Sequence, residues 1–387
     1  MFHRRELLQI GCSSFFGLGL TGLLERREAA AAEAAALPQR ARSVVLVFLT
    51  GGGSHIDMFD PKPDSPEVKG EFSPIDTRIA GVQFGELMSG MADRANLLSV
   101  VRSMAHGDNR HLSGTHHTLT GSIQPFRGDS NQDKSLNRAD WPCYGSAIDC
   151  LRPVASGLPG HVTLPHPLIE DSLVWPAQHA GFLGTQYDPF VLKDDPNKED
   201  FKVHGLSLID GLSTKRLQQR RELLGRAIQT ESTLTDSVSG RRLSNQFNTA
   251  YSMLTSGRLK KAFQVSEEPV EVRDRYGRSR RGQTLLLARR MVEAAVPVIQ
   301  CNMGIVQSWD THVDHFPRLK NELLPQTDRG VSALLDDLVD RGLLDSTLVI
   351  VVGEFGRTPT ISPLANQKVP GRHHWAHGYT AVFAGAG

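Results

Sequence analysis

The stretch SWDTHVDHF, Ser308 to Phe316, brings Asp310, His312, Asp314 and His315 within six residues of one another. Alternate residues of an extended segment point the same way, so Asp310 and His312 can share one ion. Taken alone, the stretch also reads as a solvated polar turn. The same residue types recur, however, in three other places. GGGSHIDMFDPKP carries His55, Asp57 and Asp60; GEFGRTP carries Glu354 and Arg357; GRHHWAHG carries His373, His374 and His377. Mixed imidazole and carboxylate donors suit zinc, manganese or iron better than calcium, whose shells are all oxygen. A divalent metal centre, zinc or manganese, is therefore expected, with His55, Asp57, Asp310, His312, Glu354, His374 and His377 as its ligands. So many converging donors leave room for two ions. GGGSHID also reads as a phosphate-cradling glycine loop, although it lacks the lysine of a P-loop.

A fifth segment, SMAHGDNRHLSGTHHTLTG, holds His106, His111, His116 and His117 beside Ser113 and Thr115. It reads either as the site of a histidine-activated nucleophile or as a helix with a histidine-rich exposed face. Arg357 is the candidate for holding an anionic group through its bidentate fork.

Residues this far apart in the chain meet only if the fold collects them. In open α/β sheets, ligands gather beyond the carboxyl ends of the strands. SVVLVFLT (Ser43 to Thr50) is a continuous apolar run ending in three glycines, the pattern of a buried central strand. NLLSVV, PVIQCNM, STLVIVV and YTAVFAG are the other predicted strands, and the polar clusters stand at their ends. Helical spacing marks STKRLQQRRELLGRAI, SNQFNTAYSMLTSGRLKKAF with Ser244 as its N-cap, QTLLLARRMVEAAV, and PRLKNELLPQTDRGVSALLDDLVDRGLL with Pro325 as a bend or break. From about Pro125 to Gly211 the chain is rich in Pro, Gly and Asp, which predicts long loops over the core. The alternation gives an α/β fold class: a sandwich with a central, mostly parallel sheet flanked by helices.

A formal net charge of +1 offers no basis for nucleic-acid binding. The four cysteines form no CxxC pair, which argues against a thiolate zinc site; pairing of Cys143 with Cys150 in an oxidising compartment stays open, since spacing does not show it. At the N-terminus Arg4 and Arg5 precede an apolar run from Ile10 to Leu24 and an alanine-rich segment. This is the order of a twin-arginine (Tat) export signal over residues 1–36, with a periplasmic or extracellular destination. The competing reading is an uncleaved anchor, the one expected contact with a membrane. The remaining domain, 43–387, stops at FAGAG directly after a strand, and a truncated C-terminal part is expected.

The twin-arginine start, GGGSHIDMFDPKP, HHTLTG, WDTH, GEFGRTP and HHWAHGYTAVFAGAG, in this order, resemble the 1501 domain-of-unknown-function family. That family is similar in turn to the alkaline phosphatase and sulfatase superfamily. The resemblance implies an alkaline-phosphatase-like sandwich with metals at the strand ends. It also implies an exported hydrolase of phosphate or sulfate esters, with an anionic ester such as a sulfated or phosphorylated polysaccharide as partner. HHTLTG resembles the end of the helix that begins with the superfamily's Ser, Thr or Cys nucleophile. That position is His111 here, so His111 and Ser113 are the candidates for the nucleophile's place. The aspartate expected directly after the first strand aligns with Gly51, and the later Asp-His pair is replaced by Glu354 and Phe355. The alternative reading is a non-catalytic exported binding or scaffold protein on a degenerate fold of this kind.

Overall fold

The run SVVLVF forms strand β1 (Ser43–Phe48), and its burial shows what the sheet divides. In this computed structural model the described residues are 41–386 apart from 125–137, 155–157, 172, 204–212, 231–246 and 248–249. The proposed export signal lies outside them. Val45 and Val47 are fully buried, in one apolar core with Leu285, Leu286 and Met291 of helix α2 (Arg280–Glu293) and Leu334, Leu335 and Leu338 of helix α3 (Leu324–Asp340). Helix α1 (His111–Thr120) lies by the opposite face, where Leu112 and Leu119 join a second cluster with Phe48, Val352 and Tyr379.

Six more strands complete the sheet: β2 (Leu98–Met104), β3 (His161–Leu164), β4 (Phe190–Val191), β5 (Val298–Asn302), β6 (Thr347–Val352) and β7 (Tyr379–Gly385). Their order is β2-β7-β6-β1-β5-β3-β4. The pairs from β6 to β4 are parallel, while β7 runs antiparallel to both β6 and β2. The mostly parallel α/β architecture is thus the one the alternating pattern predicts. Because β5, β1 and β6 are parallel neighbours, their carboxyl ends open at one end of the sheet.

Two local expectations fail. The region read as loops contributes β3 and β4 to the sheet; runs of four and two residues are too short to show a period. The predicted helix through Leu259 is interrupted at Ser256, whose hydroxyl accepts from the Leu259 N–H and starts a fresh helix, Gly257–Phe263. Ser244, its predicted cap, lies outside the described residues. Pro325 does mark a break in the α-helical stretch. It occupies the first turn of α3, where a missing N–H is tolerated, and a π-helical turn, Leu319–Leu323, precedes it. Cys143 and Cys150 are unpaired. Among the described residues no helix is long and apolar enough to cross a membrane.

Candidate metal centre

The three glycines after β1 make a tight platform. Gly51 has φ 111°, and a Cβ there would stand 2.6 Å from the Asp310 backbone nitrogen, so only glycine lets the loops after β1 and β5 touch. Its N–H donates to both oxygens of the fully buried Glu354, at 2.9 and 3.1 Å. The Gly51 and Gly52 carbonyls accept from Arg357, which is also fully buried. This loop cradles a carboxylate and a guanidinium of its own chain, not a phosphate. Arg357 spends its fork on the two carbonyls and on Asp310 Oδ1, 2.6 Å away. The expectation that it grips a substrate anion is corrected accordingly.

Asp310 is the hub. Its Oδ1 meets His312 Nε2 at 3.0 Å and His374 Nε2 at 3.1 Å, and the two imidazole nitrogens are 2.9 Å apart. His374 arrives on a short ribbon in which His374–Trp375 pairs with Gly356–Arg357. Oδ2 lies 3.2 Å from Nε2 of His111, the first residue of α1. His111 Nδ1 in turn is 2.8 Å from Glu354 Oε1. Ligand atoms of His111, Asp310 and His374 all fall within 4.8 Å of one another. Side chains of Asp310, His312 and His374 remain 14, 21 and 22% exposed, so the cluster is reached from solvent.

The charges are strongly perturbed. Burial works to raise the Asp310 carboxyl, but the three histidines and Arg357 outweigh it and hold it well below the usual carboxylate range. Burial likewise opposes the His111 imidazolium, yet Asp310 and Glu354 raise it to about 9. His374 is pushed down, chiefly by burial, and is neutral near pH 7.

Neutral His374 poses a problem that a cation solves. Its Nδ1 is 2.7 Å from the Asn109 carbonyl oxygen, which only accepts, so the single ring proton is there. Nε2 therefore presents a lone pair to the Asp310 carboxylate, acceptor against acceptor. His111 Nε2 is a second buried nitrogen without a hydrogen-bond partner, since its approach to Asp310 is out of line. A ligating histidine that donates its other N–H to a backbone carbonyl is the usual outer arrangement of a metal site. Nitrogen and oxygen ligands of one tetrahedral zinc stand roughly 3.3 Å apart, near the separations of 2.9 to 3.1 Å here. Asp310, His312 and His374 thus fit a divalent ion, with His111 at their side.

The other expected ligands do not join them. Glu354 stands behind His111, its oxygens taken by Gly51 and His111. Asp57 is enclosed by Ser54, His315 and Arg372, with His315 Nε2 at 2.9 Å and Arg372 Nε at 2.8 Å. His55 is buried with Nδ1 unpartnered, and burial lowers it to about 4; it packs against Gly356. His377 is exposed and lies edge-on to Trp375. Ser113 donates its hydroxyl to Gln124 at 2.7 Å. One contributor went unread: Asn109 acts through its backbone, which no side-chain pattern reveals. His373 was among the histidines of GRHHWAHG expected near the site, although not among the ligands.

Residues 41–387 match the family described as "Protein of unknown function (DUF1501)". The chain belongs to this family. No curated protein matches it in sequence. Among solved structures it is similar to the C-terminal periplasmic domain of EptC from Escherichia coli, in complex with zinc, at 9% identity and a TM-score of 0.34 over 90% of this chain and 74% of that one. It is similar also to the alkaline phosphatase of the Antarctic bacterium TAB5, at 11% identity and a TM-score of 0.33 over 90% of this chain and 92% of that one. Both likenesses are remote.

Proposed function

We propose that this DUF1501 chain is a divalent-metal-dependent hydrolase of phosphate or sulfate esters that works outside the cytoplasm. The observation that carries the metal is the placing of His374, with Nδ1 on the Asn109 carbonyl oxygen and Nε2 on the Asp310 carboxylate, which for a neutral ring turns a lone pair towards Asp310. The ester class is supported by the resemblance of the segment order to the alkaline phosphatase and sulfatase superfamily. The location is supported by the twin-arginine start. Asp310, His312 and His374 would hold the ion, zinc or manganese. Bound there, it would polarise an ester oxygen and neutralise developing charge.

The chain's own residues divide the remaining work. Arg357 fixes the Asp310 carboxylate, with Glu354 fixing His111. His111, whose Nε2 faces Asp310 Oδ2 at 3.2 Å beside the open centre, is placed to exchange a proton with a leaving oxygen. An anionic ester, for example on a sulfated or phosphorylated polysaccharide, suits a site whose accessible edge gathers imidazoles.

The binding-protein reading is favoured by one observation: Ser113, the hydroxyl candidate, is tied to Gln124 and His111 fills the nucleophile's place. One experiment separates the readings. Protein made without a His-tag is assayed for bound zinc and manganese, then for turnover of para-nitrophenyl phosphate and sulfate with each metal. Turnover that His374→Ala abolishes supports the hydrolase. Bound metal without turnover favours the binding protein, and absence of metal overturns the metal centre.

A further inference from the structure

His312 differs from His374 in one respect that decides whether it can ligate. The outer nitrogen of His374 faces a carbonyl, which must accept. The outer nitrogen of His312 faces another imidazole: His312 Nδ1 and His373 Nδ1 are 2.7 Å apart. Such a contact holds one proton between two nitrogens. If His373 donates it, the proton of neutral His312 is on Nε2, pointing into the centre, and His312 cannot bind an ion. If His312 donates it, Nε2 is bare and turned to Asp310 and His374. The direction of one hydrogen bond sets whether the centre has two imidazole ligands or one.

We propose that His373 is the positioning residue that makes His312 a ligand, by accepting its Nδ1 proton. The inference rests on the metal reading given above. Its geometry is built for the role. His373 Nε2 is 3.0 Å from the Ser362 hydroxyl, an acceptor for the N–H that His373 must carry there once its Nδ1 is bare. The His373 backbone is pinned at both ends. Its N–H donates to Thr358 Oγ1 at 2.9 Å and its carbonyl accepts from the Thr358 N–H at 2.8 Å. One bridge further, Ser362 and Gly371 exchange two backbone hydrogen bonds of 3.0 Å. Gly371 is pressed so closely on His312 that a Cβ would stand 2.2 Å from the His312 carbonyl oxygen. The two rings are also nearly coplanar, with centroids 5.0 Å apart and planes within 27°, as a hydrogen bond in the ring planes requires. Ser362, His373 and His312 thus form a line of hydrogen bonds ending at the candidate ion.

The test compares His373→Ala with His373→Asn in the full chain, made without a His-tag. Asparagine places its Oδ1 where Nδ1 of histidine was, keeping an acceptor for His312; alanine removes it. Zinc and manganese affinities are measured by chelator competition, and melting temperatures are taken on metal-free protein. Loss of an outer partner of this kind weakens binding about 10- to 100-fold. That loss is expected for His373→Ala, while His373→Asn binds close to wild type and both metal-free variants melt alike. Equal affinity in wild type and His373→Ala overturns the role of His373 alone, as does a His373→Asn variant that binds as poorly as the alanine one. A wild type that takes up neither metal overturns the metal centre and this inference with it.

Discussion

Two aspartates near the same end of the sheet, Asp57 and Asp310, each meet an arginine and histidine, yet the clusters are opposite in kind. Around Asp57 every donor has its acceptor. Arg372 and Ser54 donate to the carboxylate, His315 donates from Nε2, and the Thr311 hydroxyl stands 2.7 Å from His315 Nδ1. Thr311, His315 and Asp57 even line up in the order hydroxyl, imidazole, carboxylate of a hydrolytic triad. All three are 3% exposed or less, however, and no substrate reaches them. Around Asp310 the books do not balance: a neutral imidazole meets the carboxylate lone pair first, and water reaches the spot. Identical residue types make a structural brace where donors and acceptors match, and a candidate site where they fail to match beside solvent.

Breaking the brace should give the largest effect. Asp57→Ala leaves Arg372 and His315 buried without their partner, a defect that costs about 3–5 kcal/mol. Urea unfolding is expected to show that loss, while metal per folded molecule stays at the wild-type value. A loss within about 1 kcal/mol would mean the network is not closed. The same residue sets an acid limit. Burial acts to raise the Asp57 carboxyl, but His315 and Arg372 hold it at about 2, below its ordinary 3.8. A depressed carboxyl stabilises fully above its unfolded value, so this contribution is lost as pH falls from about 4 through 2.

His374→Ala sharpens the contrast from the other side, since it removes a candidate ligand and leaves the Arg357–Asp310 pair in place. An ion at 100 times its Kd stabilises the folded state by about 2.7 kcal/mol. EDTA should therefore lower the melting temperature of the zinc-loaded wild type and leave His374→Ala where it was. If the chelator moves neither, the cluster around Asp310 is a brace too.

A smaller effect is expected from pH in the metal-free protein. His111 is raised to about 9 by Asp310 and Glu354 against the pull of burial. Its contribution is complete below the ordinary histidine value of 6.5 and fades as pH rises through about 9. Chelated wild type should melt at progressively lower temperature across that interval, and His111→Gln should flatten the curve. A wild-type profile that is already flat would place the imidazolium elsewhere.

The sheet was legible because long apolar runs such as SVVLVFLT and STLVIVV carry their own signal, and parallel neighbours bring the following loops together. The meeting of Asp310, His312 and His374 at one place was legible for that reason. Asp57 and Glu354 were misread because composition cannot say whether a carboxylate is already saturated. That depends on His315, Arg372 and Gly51, residues brought in from 258 to 315 positions away. Arg357 was misread in the same way. The Asn109 carbonyl, which decides the His374 tautomer, has no residue-type signature at all.

His377 marks the lower end of the scale. It belongs to the same GRHHWAHG stretch as His374 and, by sequence, has an equal claim to bind metal. In the structure it is exposed and touches the edge of Trp375. A surface side chain with one ring contact and no buried polar partner changes stability by about 0.5 kcal/mol or less. His377→Ala is therefore expected to melt and bind zinc as the wild type does, beside His374→Ala, which loses the ion. Chelator competition on the two variants reads the difference directly. Were His377→Ala to lose zinc affinity as His374→Ala does, the centre would extend across the ribbon, and the division between Asp310 and its neighbours would have to be redrawn.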